Sequence, residues 1–372
     1  MRATKRARRL FFGTFVLVLS GCATIQPLGI SSRKPVFRKP SVEISYQDYT
    51  GIFHVHSRYS HDSKGRFDEI VKATEKAYAD FVVITDHNTL QGLHEKMDGF
   101  YGETLVIIGN EVSTSAGHLA ILGIEKEIDR DKAPEGILKE VHESGGLSFV
   151  CHGESKRTPW RDWSVSPLTG MEIYNLAGDV YEEGAFWVTL KVIGFYPRLF
   201  FRSIMNKPRL YLDRWDELLR KGKVVGIGAV DAHQKIRFLG RPIDHYDSMF
   251  KVVQTHAWAE SLSKDSILKA FEKGHVYVGF DIVAPVRNFL FVAESPKGKV
   301  IMGDSIKNQD DLKLRIFLPK KGDIRLLKDG SLWKRGKAVY LETAADGRGV
   351  YRVEVYHGKR LWIVSNPIYV TS

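Results

Sequence analysis

The residues with the most chemistry in this sequence are histidines and carboxylates placed at the ends of short apolar runs. His54 and His56 form a His-x-His at the end of Ile52–Val55, and Asp62 follows in Tyr59-Ser60-His61-Asp62-Ser63. Thr85-Asp86-His87-Asn88 closes the next run and Gly109-Asn110-Glu111 the one after. His118 precedes Leu119–Leu122, His152 follows Cys151, and Val230-Asp231-Ala232-His233 ends the run that begins near Lys223. A lone histidine at a strand end is usually structural, and one His-x-His decides nothing. Six of the thirteen histidines, joined by three carboxylates at recurring positions, point to a metal centre. Mixed imidazole and carboxylate donors suit Zn, Mn or Fe better than Ca or Mg. In a strand, residues i and i+2 share a side, so both imidazoles of His-x-His can reach one cluster. Two cysteines are too few for a Cys-rich zinc module or a disulfide scaffold.

Elements must bring those run ends together. Ile52–Val55, Phe81–Thr85, Leu105–Gly109, Leu119–Gly123, Leu147–Val150, Met171–Tyr174 and Val224–Ala229 read as strands, and the unbroken apolarity of several fits a sheet buried on both faces. Phe67, Ile70, Val71, Thr74 and Ala77 keep helical spacing. Pro134–Ser144, Asp213–Lys221 and Ser263–Lys273 read as helices that stop at glycine. The alternation predicts an α/β fold, barrel or open sheet, with its chemistry at the C-terminal strand ends. After Asp281 only strand-like segments and turns remain, so residues 282–372 read as a small antiparallel β-sandwich-like domain.

The ordered set His-x-His, Asp-His, Glu, His, Cys-His and Asp-x-His resembles the PHP (polymerase and histidinol phosphatase) family of metal-dependent phosphoesterases. Gly170-Met171-Glu172-Ile173-Tyr174-Asn175 is similar to the family's Gly-x-Glu-x-Tyr-Asn strand. The resemblance spans about residues 47–280. It implies a distorted (β/α)7 barrel over 46–281 holding two or three divalent transition metals (Mn, Zn or Fe). Carried over position by position, it implies His54, His56, Asp62, His87, Glu111, His118, His152, Asp231 and His233 as ligands, with His61 the alternative to Asp62. It further implies hydrolysis of phosphate esters, including nucleotides and oligonucleotides cut 5′–3′, by a metal-bound hydroxide. Such ions lower the pKa of bound water from about 15.7 toward about 7 and neutralise charge on the reacting oxygens. Because the metals supply the nucleophile, Cys151 reads as a structural thiol. Lys156, Arg157 and Asn175 are candidate phosphate contacts. Tyr59-Ser60-His61-Asp62-Ser63 resembles the subgroup with a trailing β domain, which includes carboxyl and carbamate ester hydrolases and leaves that reaction as an alternative. A non-catalytic envelope lipoprotein with structural metals is the other alternative.

The N-terminus reads as an address. Arg2, Lys5, Arg6, Arg8 and Arg9 precede an apolar run, Leu10 to Leu19, about half the length of a membrane span. Leu19-Ser20-Gly21-Cys22 resembles a lipobox, which implies a signal peptide over 1–21, lipidation of Cys22 and anchoring in a bacterial envelope membrane. Residues 22–45 read as a basic tether. The chain's +11 net charge includes nine basic and no acidic side chains in the first forty residues, leaving 46 against 44, a net of +2, for residues 41–372. That balance does not support a broad nucleic-acid surface; a small phosphate-ester or nucleotide substrate is what the family resemblance implies. Phe186–Met205, apolar but carrying three cations, reads as a lid, as packing or as an interfacial segment.

Overall fold

A computed structural model describes residues 42–182, 201–203, 205, 208–235, 237–238, 241–242 and 244–372. The signal-like stretch with Cys22 and most of Phe186–Met205 lie outside the described residues. The fold is mixed α/β, built on one large sheet.

The strands that carry the histidines come first: β1 Gln47–Val55, β2 Phe81–His87, β3 Gly99–Tyr101, β4 Thr104–Thr114, β5 Gly117–Leu122, β6 Leu147–Val150, β7 Gly170–Asn175 and β8 Val225–Ala229. β1 and β2, β2 and β4, β6 and β7, and β7 and β8 pair in parallel, whereas β4–β5 and β5–β6 are antiparallel. No helix separates β4 from β5, where Ser115-Ala116 makes a tight turn between antiparallel strands. The two ends of this series meet through the Val55–Ala232 bridge, with Val230 N–H donating to the Phe53 carbonyl.

The helices follow their sequence signals. Phe67–Lys76 buries Ile70, Ala73 and Thr74, one face at helical spacing. Lys264–Lys273 is capped by the Ser263 side chain and ends at Gly274, whose φ of 69° favours glycine. Phe53, Phe149 and Phe271 pack ring to ring with Val83, Ile107 and Ile227 in a core under the histidine-bearing strand ends. Gly51 is required there, because a Cβ would sit 2.0 Å from the Phe81 ring.

Two strands not read from the sequence, Gln254–Ala259 and Val276–Gly279, extend the sheet beyond β1. Val276–Gly279 then pairs with Arg360–Ser365, so the sheet runs on into the C-terminal strands. Arg352, 2% exposed, grips Asp216 of helix Arg209–Leu219 through bonds of 2.7 and 2.6 Å. The described residues form one compact unit.

Candidate metal centre

Glu111, at 1% exposure, is the hub of the site. Its Oε2 lies 3.0 Å from His54 Nε2, 3.1 Å from His56 Nε2 and 3.2 Å from His87 Nδ1. Its Oε1 lies 2.8 Å from His118 Nδ1 and 3.1 Å from His152 Nε2. Asp231 Oδ1 approaches His233 Nδ1 at 3.3 Å and His56 Nε2 at 3.5 Å. Asp62 Oδ2 lies 3.2 Å from His233 Nε2, and its Oδ1 3.6 Å from His87 Nε2. All nine sequence-nominated ligand residues thus converge. His61 is exposed, with its ring 5.1 Å from that of His87.

The orientation of the rings tests whether the donors suit metal ions. His54 Nδ1–H donates to Glu172 Oε1 at 2.5 Å and His56 Nδ1–H to Ser60 Oγ at 2.9 Å. His152 Nδ1–H donates to the Thr158 carbonyl at 3.2 Å and His233 Nδ1–H to the Asp231 carbonyl at 3.1 Å. Each of these rings is held by Nδ1 and turns Nε2 inward, where it could present a lone pair once deprotonated, as outer-shell support of a metal ligand requires. His56 Nε2, His87 Nδ1, His233 Nε2, Asp62 Oδ1 and Asp231 Oδ1 are buried without a hydrogen-bond partner, a costly state for polar atoms that a metal would relieve. Donor atoms of His56, His87 and His233, of His54, His56 and Asp231, and of His87, Glu111 and His118 each fall within 4.8 Å of one another. The residues fit divalent metal ions.

Backbone geometry aims the donors. His54, His152 and Asp231 have φ of 67°, 34° and 49°, the left-handed region that non-glycine residues rarely adopt. The β1–β2 register also slips between Ile52 and Val55. The simple parity argument for His-x-His therefore fails here: an irregular strand end, not a regular pleat, turns both rings inward.

The electrostatics are those of a coupled buried cluster. Burial works to neutralise His54, but Glu111, Asp231 and Glu172 outweigh it and hold its pKa well above the usual imidazole value. His152 is likewise opposed by burial yet rises to about 9, chiefly through Glu111. His87 falls to about 3, because burial and the nearby His56 outweigh Glu111. Glu111 and Asp231 stay well below the carboxylate range despite burial, held there by the surrounding histidines. Cys151 is fully buried in the aromatic core, and burial pushes its thiol far up, away from a reactive thiolate.

Sequence reasoning missed the second layer. Glu172, fully buried, accepts from His54 Nδ1, from the His152 backbone N–H at 2.6 Å and from Asn175 Nδ2 at 2.8 Å. Asp86 holds Ser60, which in turn holds His56. The signals were present, Glu172 inside the quoted strand and Asp86 beside His87, but their partners are distant in sequence. Asn175, nominated as a phosphate contact, instead commits its amide to Glu172 and, at 3.4 Å, Asp231, and accepts from Gly178 N–H. Lys156 and Arg157 lie exposed on the loop after His152. Lys235 touches the cluster, 2.8 Å from Asp62 Oδ2. Glu172→Gln keeps the shape but loses the charge, and should weaken metal affinity about 10–100-fold, the usual cost of losing an outer-shell partner. Metal titration of the folded variant measures this; unchanged affinity would remove Glu172 from the centre.

The PHP domain family matches residues 53–307, well over half of the chain, and the chain belongs to that family. It is 31% identical over 137 residues to an uncharacterized protein of Methanocaldococcus jannaschii, a stretch covering 33% of this chain and 79% of that one. It is also similar to the solved structure of a two-domain protein of Bacteroides vulgatus containing a predicted PHP-like metal-dependent phosphoesterase. That likeness has a TM-score of 0.42 and 15% identity, over 91% of this chain and 99% of the other.

Proposed function

We propose that the chain hydrolyses small phosphate esters, nucleotides or short oligonucleotides among them, using two or three divalent ions (Mn, Zn or Fe). The ligands would be His54, His56, Asp62, His87, Glu111, His118, His152, Asp231 and His233. The observation that carries this reading is the convergence of five imidazole nitrogens on the two oxygens of buried Glu111. Bound ions of this kind polarise a phosphoryl oxygen and bring the pKa of water toward neutrality. The chain's own part is positional and electrostatic. Glu111 offers one oxygen to each half of the histidine set, which suits it to bridge two sites. With three ions, six positive charges against the four carboxylates Asp62, Glu111, Asp231 and Glu172 would leave a positive centre that attracts an anionic ester. Lys235 stands at its rim, and Lys156 and Arg157 on the adjoining loop are proposed as outer phosphate contacts.

The same reading takes β1, β2 and β4–β8, joined through Val55 and Ala232, as the distorted (β/α)7 barrel over 46–281, with 282–372 as the β-sandwich-like domain. It also places the chain in the bacterial envelope through lipidated Cys22. No described helix is long and apolar enough to cross a membrane.

The test is turnover of phosphate mono- and diesters and of aryl esters by the purified chain loaded with each metal. Phosphate-ester turnover that disappears with His54→Ala supports the proposal, and Cys151→Ala should keep most of it. Turnover of aryl esters alone would move the reaction to carboxyl esters and overturn it.

A further inference from the structure

Charge on the folded part is segregated. Residues 313–344 carry nine basic and three acidic side chains, a net of +6, within a region 41–372 that totals +2. They form a long hairpin of Lys313–Lys328 with Ser331–Ala344. Leu314, Ile316, Ile324 and Leu326 are buried beneath it, while Asp323 pairs with Lys337, and Arg325 with Arg335, on the other side. A cleft of about 620 Å³ there is lined by Lys320, Lys321, Arg335, Lys337, Tyr356 and His357. The acid in the cleft, Asp323, is held by Arg335 at 2.7 and 2.8 Å. Arg325 lies 3.9 Å over the Tyr356 ring. Lys320, Lys321, Lys334 and Lys337 are exposed, and no described carboxylate lies within ion-pair distance of them.

Ser331–Ala344 has no strand partner among the described residues except Lys313–Lys328. Lysines commonly guard such an edge against aggregation. A guard has no use for bare apolar side chains, yet Leu332, Val339 and Tyr340 are 57%, 46% and 40% exposed, half of the six large hydrophobics exposed in the described chain. Cations interleaved with exposed aliphatic and aromatic groups match a surface that is anionic outside and apolar just beneath. A nucleic acid would use the cations and aromatic rings but offers nothing to Leu332 and Val339.

We propose that this hairpin docks on an anionic phospholipid bilayer, with Lys320, Lys321 and Lys337 on headgroups, Lys334 reaching them from the strand edge, and Leu332, Val339 and Tyr340 at the interface. The inference stands apart from the catalytic reading. The test is amide hydrogen exchange over residues 331–344 of the full chain on vesicles of phosphatidylcholine alone or equimolar with phosphatidylglycerol. Exchange should slow about tenfold on the anionic vesicles only, and the effect should vanish in high salt. It should also vanish in the variant combining Lys320→Glu, Lys321→Glu, Lys334→Glu and Lys337→Glu, whose fold is checked by exchange in Leu147–Val150. Equal exchange on the two vesicle types overturns the proposal. Slowing by a single-stranded oligonucleotide with none on vesicles overturns it in favour of a nucleic-acid surface.

Discussion

Replacing Glu111 by glutamine should empty the centre of metal and abolish most turnover. The amide keeps the volume, so the effect isolates the charge. Both carboxylate oxygens face imidazoles, His54, His56 and His87 on one and His118 and His152 on the other, and the group is almost wholly buried. Removing one partner of a buried charged set costs about 3–5 kcal/mol, because the remaining charges stay out of water uncompensated. At about 1.4 kcal/mol per tenfold, that is a loss of roughly a hundred- to a few-thousand-fold. Metal content per chain and kcat/KM measure it together. A variant with the wild-type metal complement would remove Glu111 from its place at the hub.

Loading metal should reverse the pH dependence of stability above neutrality. In the metal-free protein His54, His56 and His152 have raised pKa values, with burial outweighed by the neighbouring carboxylates. A raised folded value means stability fully present below the unfolded pKa of about 6.5. It is lost as pH rises, through about 9 for His152. His87, held neutral by burial with a pKa of about 3, acts oppositely: its contribution is present above about 6.5 and lost on acidification. Glu111 and Asp231, depressed, also lose their contribution in acid. The metal-free optimum should therefore lie slightly below neutrality. Metal ligands must be deprotonated, so metal binding instead strengthens as pH rises. At a thousandfold excess over Kd, binding adds about 4.1 kcal/mol. Melting curves between pH 6.5 and 9 should fall without metal and hold or rise with it. Parallel curves would show that these histidines do not bind the metal.

The residues that converge on Glu111, and their order, were legible in the sequence because metal chemistry restricts the types to look for. Hard and borderline cations need imidazole and carboxylate, and apolar runs marked the strand ends that carry these groups. The helices at Phe67–Lys76 and Lys264–Lys273 were legible for a local reason too, since periodicity and caps act within a few residues. Gln254–Ala259 and Val276–Gly279 were not, because strand pairing joins residues far apart in the chain.

Everything that depended on distance through space belonged to the tertiary structure. The His54–Glu172 bond links positions 118 apart, and the Lys235–Asp62 pair positions 173 apart. No local pattern encodes either contact, nor the bonds from the Asn175 amide to Glu172 and Asp231. Charge divides the same way. Composition alone established that residues 41–372 are nearly neutral, but only the hairpin register showed four lysines and three bare apolar side chains gathered on one strand pair. A net charge is a sum, whereas binding responds to where the charges stand.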